Sequence, residues 1–139
     1  LHSRLRKELA DQARFIAGSH AWFRPANDPA ARRGLRNAKR FLAHIQGSIE
    51  EPHITGGTTS EPHNVLTLSW YVYSNVLASL EVVFKDDNMC SIIWNETRQT
   101  TRKLDGLSVD EVIAFDVPQK LRNLATVVSS EGESFEFLL

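Results

Sequence analysis

The chain has 139 residues, of which 42% are hydrophobic and 24% charged, a composition that predicts one globular domain over 1–139 and excludes a disordered chain. No apolar run is long enough to span a bilayer, and no N-terminal stretch is typical of a signal peptide. The single cysteine, Cys90, permits no internal disulfide. We therefore expect a cytoplasmic protein without membrane contact.

The formal net charge of −1 conceals an uneven distribution along the chain. Residues 1–40 contain ten basic and three acidic side chains, a charge of +7, whereas the remaining residues contain six basic and fourteen acidic ones, a charge of −8. The sequence thus predicts a basic helical layer over 1–47 and an acidic sheet layer with C-terminal helices over 52–139. Such a division bears on partners rather than on the fold.

The basic layer is predicted to contain two helices. The first begins at Ser3, which can cap it, and ends at Gly18. Trp22 and Phe23 follow in the connection, where we expect them to be buried between the helices and the sheet.

The second helix has the clearest start in the chain, with Asp28 as the capping residue and Pro29 at the first helical position. Gly47 can close it in the left-handed conformation. One face is apolar, with Phe41 at its edge, and is formed by Ala31, Leu35, Ala38, Leu42 and Ile45.

The polar face of this helix is basic throughout. Five basic side chains fall within an arc of about 120°, and no acidic residue interrupts them: Arg32, Arg33, Arg36, Lys39 and Arg40. The face predicts binding to an acidic protein or to a second subunit. The alternatives are a solvated face neutralised by acids of the same chain, or a nucleic-acid-binding protein that contacts phosphates through helix 28–46.

A doubled Glu-Pro-His motif, at 51–53 and 61–63, flanks a Gly-Gly-Thr-Thr-Ser core. We interpret it as a connector or a hairpin, because proline favours extended backbone and glycine favours a change of direction. A small-ligand or enzyme site at His53 and His63 is the alternative, and it requires the two imidazoles to face each other across the hairpin. We predict no metal and no cofactor.

Alternating residues then predict an antiparallel meander. The segments "NVLTLSWYVYS", "VLASLEVVFK" and "MCSIIWNE" are strands, and "TRQTTRK" is a fourth strand or a loop. Tyr71 and Tyr73 lie on the polar side of the first strand, which is either a contact surface, a dimer interface or a face covered by the C-terminal helix. The buried sides are formed by Leu66, Leu68, Trp70 and Val72, by Ala78, Leu80, Val82 and Phe84, and by Cys90, Ile92 and Trp94.

The C-terminal part begins with a predicted turn at Asp105-Gly106. Ser108 and Glu111 form a capping box that opens a short helix, although the β-branched segment 112–115 also fits a strand. Asp116 and Pro118 open a second helix, and "SFEFLL" could add an edge strand.

The predicted fold is α+β, with two N-terminal helices packed on one face of a four- to five-stranded antiparallel sheet and one or two short C-terminal helices. We expect a non-catalytic binding or accessory protein that acts through the basic helix face or the tyrosine-bearing sheet face. Its partner would be an acidic protein or a second copy of the chain. An enzyme is the less favoured alternative, because no nucleophile motif accompanies Cys90.

Overall fold

The computed structural model describes residues 28–56, 63–73, 77–97 and 100–138. The helices within these ranges are α1 (Pro29–Ile45), α2 (Val109–Phe115) and α3 (Val117–Leu138). The strands are β1 (His53–Gly56), β2 (Asn64–Tyr73), β3 (Leu77–Lys85), β4 (Cys90–Thr97) and β5 (Thr100–Leu107). The predicted first helix and the residues Trp22 and Phe23 lie outside the described ranges, in which one helix, rather than two, precedes the sheet.

The five strands form one sheet in chain order, and every neighbouring pair is antiparallel. This confirms the predicted α+β meander, and "TRQTTRK" contributes to the strand β5 rather than to a loop alone. The face that we call inner is packed under the helices through one apolar cluster, which includes the predicted positions Leu66, Leu68, Trp70, Ala78, Leu80, Val82, Phe84, Cys90 and Ile92. The opposite face is called outer.

Helix α1 begins and ends at the predicted residues. The Asp28 carboxylate accepts a hydrogen bond from the Ala30 amide at 2.9 Å, and Gly47 has a φ of +77° just beyond the last turn. Phe41, which we placed at the edge of the apolar face, is fully buried and contacts Trp70 and Phe84, with ring centroids 6.4 Å and 6.0 Å away. The apolar face is therefore wider than the heptad-like spacing indicated, because α1 lies against two strands.

A bulge at the start of β2 gives the sheet one extra inward side chain. Asn64 pairs with Lys85 and Leu66 pairs with Phe84, so Val65 has no partner on β3. Val65 and Leu66 are consecutive and yet both are buried. The extra residue directs Val65 towards Gly34 of α1, and thereby fixes where the helix crosses the sheet.

A second bulge replaces the turn that we predicted at Asp105-Gly106. Cys90 pairs with Leu107, and Ile92 pairs with Leu104. Asp105 and Gly106 therefore both lie opposite Ser91. Gly106 has a φ of +65°, a left-handed conformation that glycine adopts without strain. The Asp-Gly signal was correct about the backbone conformation but wrong about a change of chain direction.

The C-terminal helices correct two further predictions. The capping box of α2 is present in both directions, from the Glu111 amide to Ser108 and from the Ser108 amide to Glu111, so the strand alternative at 112–115 is wrong. Helix α3 has 22 residues and includes "SFEFL", so it is not short and no edge strand forms there. Six alternating residues are too few to fix a period, and a helix satisfies its backbone locally.

Candidate binding surfaces of the helix and the sheet

The basic face of α1 divides into two rows. At about 100° per residue, Arg32, Arg36 and Lys39 fall within about 60° of one another, and we call them the outward row. Arg33 and Arg40 lie farther round the helix and are called the lateral pair. All five side chains are exposed, as a helix with a single buried face requires.

The lateral pair is engaged within the molecule. Arg33 donates through Nη2 to the Asp86 carbonyl oxygen at 3.2 Å, and Arg40 forms a salt bridge with Asp110 of α2. The side chains of Arg40 and Asp110 are 56% and 71% exposed, so solvent screens this pair and it contributes little to stability. Arg40 thus pairs with an acid of the same chain, whereas the Arg33 contact is a hydrogen bond to a backbone carbonyl oxygen and does not neutralise its charge.

The outward row differs from the lateral pair. Among the described residues, neither Arg36 nor Lys39 has an acidic side chain within 4.0 Å, and both are exposed. No acid on α1 itself can pair with them, because the helix contains none. The two cations therefore present their charge to solvent from a rigid helix.

The outer face of the sheet carries a cluster of three rings at one end of β1 and β2. Tyr71 and Tyr73 are 41% and 76% exposed, and their ring centroids lie 6.1 Å apart. The ring of His53 lies 5.7 Å from that of Tyr71. One alternative placed a C-terminal helix over the tyrosine-bearing face. Helix α3 packs on the inner face instead, and no other described helix follows it.

The two histidines of the Glu-Pro-His motifs are not brought together. His53 lies opposite Ser69 in the β1–β2 ladder, six residues beyond His63, a separation of about 20 Å along the strand. His63 is instead 3.2 Å from the Asp86 carboxylate, measured from Nδ1 to Oδ2. Within the described residues no three histidine, cysteine or acidic side chains are grouped as a metal ion requires. His53 begins β1 and His63 directly precedes β2, which pairs antiparallel with β1.

A cleft of about 320 Å³ between the end of α1 and the α2–α3 junction was not foreseen from the sequence. Its polar lining includes His44, Ser48, Asp116 and Arg122. Asp116 accepts a hydrogen bond from the Gln119 amide at 3.2 Å, and Arg122 donates to the Gln119 side chain at 3.0 Å. Both charged groups are thus occupied in holding the start of α3. No sequence signal predicts the cleft, because it depends on how three helices pack.

The remaining reactive groups have structural roles. Burial raises the pKa of the Cys90 thiol to about 11, and the nearby Asp87 carboxylate adds to the effect. The pKa of Asp105 is held well below its usual value by hydrogen bonds from Ser91 and Lys85 and from the Gly106 amide. The Cys90 thiol stays protonated and is therefore a poor nucleophile. The Ser91 hydroxyl is buried and donates to Asp105.

No protein-family model, curated protein or solved structure matches this chain. None of the described helices combines the length and the apolar character needed to cross a membrane.

Proposed function

We propose that this chain is a non-catalytic binding protein that holds an acidic protein partner along the outward row of α1. The observation that carries the proposal is the contrast between the two rows. The lateral pair is used within the molecule, whereas Arg36 and Lys39 face solvent from the same helix, without an acidic partner among the described residues.

The length of the outward row favours a protein partner over nucleic acid. The two cations without an acidic partner among the described residues, Arg36 and Lys39, are about 4.5 Å apart along the helix axis, less than one helical turn. Proteins that bind duplex DNA through charge can contact about six to ten phosphates, and residues 41–139 of this chain carry a charge of −8 that would repel them. A short cationic row beside acidic surfaces fits a local acidic segment better.

The ring cluster of His53, Tyr71 and Tyr73 supports a second contact surface for the same class of partner. Tyrosine is enriched at sites that contribute most to binding energy, and Tyr73 exposes 76% of its surface. This cluster lies on the outer face while α1 lies over the inner face, so one small partner cannot cover both. We assign the primary contact to α1 and treat the ring cluster as secondary.

The test is fluorescence anisotropy with a labelled helical peptide of about sixteen residues, carrying glutamates at i, i+4 spacing. At low salt we expect binding that the double substitution Arg36→Glu/Lys39→Glu weakens about tenfold or more, since a charge pair becomes repulsive. The matched control is Arg102→Glu/Arg122→Glu, which changes the net charge equally at two other exposed arginines and should bind as the wild type does.

Two results obtained with bound ligand would overturn the proposal. One is an equal loss of binding in the control, because net charge rather than the outward row would then be responsible. The other is preferential binding of a labelled DNA duplex with a steep salt dependence, which would favour the nucleic-acid alternative. Failure of the peptide to bind at low salt would overturn the proposal as well.

A further inference from the structure

The sheet is open, and its two edge strands differ in length and exposure. β1 has four residues, as protected edges commonly do. β5 has eight residues, and every one from Thr100 to Gly106 is exposed. No described strand pairs with its outer edge, so the backbone from Thr100 up to the bulge at Asp105-Gly106 offers donors and acceptors that a further strand can use.

The charges of β5 are arranged symmetrically about Leu104. Lys103 precedes it and Asp105 follows it, with side chains 53% and 54% exposed. A two-fold axis through Leu104 places Lys103 of one copy opposite Asp105 of the other, and Asp105 of the first copy opposite Lys103 of the second. Asp105 uses Oδ1 for Lys85 and Ser91, while Oδ2 is 3.9 Å from Lys103 of the same strand. At 3.9 Å the Lys103 contact is longer than a hydrogen bond, so the Lys103 ammonium can still donate to a carboxylate of a second copy.

We propose that β5 pairs antiparallel with β5 of a second copy, in the register that places Leu104 opposite Leu104. The two sheets then continue into one, with Lys103 of each copy opposite Asp105 of the other and the two leucines in contact. The occupant is a copy of the same chain because the edge is complementary in charge to itself, as a closed two-fold interface requires.

Other registers are unfavourable for physical reasons. In a continuous sheet, directly opposed residues point to the same face. A two-fold axis between two residues would oppose consecutive residues, which point to opposite faces, so the axis has to pass through a residue. An axis through Lys103 places two ammonium groups opposite each other, and an axis through Arg102 does the same with two guanidinium groups. Only the axis through Leu104 combines opposite charges with an apolar centre, and Leu104 is 39% exposed in the single chain.

The interface is small, because it joins two strands only. A contact below the usual interface size predicts a dissociation constant of about micromolar order, and hence a concentration-dependent dimer. Sedimentation of the full chain should therefore show monomer and dimer in exchange. The substitution Lys103→Glu should shift the species to monomer, because it places two carboxylates opposite each other at two positions.

The register is tested by disulfide trapping. Two Cα atoms directly opposite in an antiparallel pair are about 4.5–5.5 Å apart, within the range for a disulfide, so Leu104→Cys should give a covalent dimer under mild oxidation. Arg102→Cys is the matched control, because its two copies would lie about 13 Å apart. The native Cys90 is buried and does not compete.

Each outcome decides the matter, provided that circular dichroism shows folded variants. A Leu104→Cys dimer without an Arg102→Cys dimer supports the proposal. Trapping through Arg102→Cys instead contradicts the register, and a chain that stays monomeric at roughly 100 μM with neither variant trapped contradicts the dimer. None of these outcomes affects the outward row of α1, so the two proposals stand or fall separately.

Discussion

Gly34 of α1 and Val65 of β2 approach so closely that a methyl group at position 34 would lie 2.8 Å from the Val65 Cβ and 3.0 Å from its Cγ2. The Val65 side chain packs directly against the backbone of α1 at Gly34, so no side chain of the helix intervenes. The glycine is therefore required for close approach, and not for an unusual backbone angle.

We predict that Gly34→Ala destabilises the fold by about 1–3 kcal/mol, as overpacking of a well-packed core does. The effect opposes the preference of helices for alanine over glycine, which is about 1 kcal/mol. Urea unfolding provides the measurement. The double substitution Gly34→Ala/Val65→Ala should recover part of the loss by making room, and a single variant as stable as the wild type would contradict the contact.

A second prediction concerns Asp105, whose pKa is depressed by its hydrogen bonds to Ser91, Lys85 and Gly106. A carboxyl whose folded pKa lies below its unfolded value of about 3.8 stabilises the fold at higher pH, and this contribution is lost as the pH falls below that value. Asp105→Asn should lower stability at neutral pH and lessen its decline in acid. Urea midpoints measured at neutral and acid pH test this, with Asp110→Asn as the exposed control that should retain the decline.

The third prediction concerns the Cys90 thiol, which is buried and has a pKa raised to about 11. At pH 8 only about one thiol in a thousand would then be ionised, and a reagent cannot reach it. We expect no reaction with a chromogenic disulfide in the native protein and one equivalent after denaturation in urea. Rapid native labelling would show that the inner face of β4 opens easily.

The fourth prediction concerns Trp70, which donates from Nε1 to the Glu50 carbonyl oxygen at 2.8 Å while its ring contacts Phe41. Trp70→Phe keeps an aromatic ring but leaves the carbonyl without this donor, which should cost about 1–3 kcal/mol. Tyr73→Phe is the control, since its ring is 76% exposed and its hydroxyl has water. Thermal unfolding should separate the two variants clearly.

Much of the fold follows from local patterns in the sequence. Alternation identifies the buried side of a strand, as at Leu66 and Leu68, because side chains of a strand point to opposite faces in turn. Asp28 and Ser108 predict helix starts for a similarly local reason, since each satisfies an amide within its own first turn. These inferences need no knowledge of what the elements pack against.

Features that depend on pairing between strands are not readable in the same way. The bulge at Val65 adds one residue to β2, and no residue type in that segment marks it. The separation of His53 from His63 depends on the register between β1 and β2. Gly106 offered a signal, because an isolated glycine in a strand often marks a bulge, but Asp-Gly also suits a turn. For the basic face, the sequence predicts five exposed cations, and only packing decides that Arg33 and Arg40 are engaged.

The chain-order arrangement of the strands has a consequence for how the protein acquires its structure. Each strand pairs with the one made just before it, so the sheet can grow by closing one short loop at a time, and short loops carry a small entropic penalty. Helix α1 is the exception, since it is synthesised before β2 and β3, against which it packs. Of the described elements, only later ones pack against its apolar face, so none of them covers this face on the ribosome until the second hairpin has emerged, and exposed apolar surface of this kind promotes aggregation of a nascent chain.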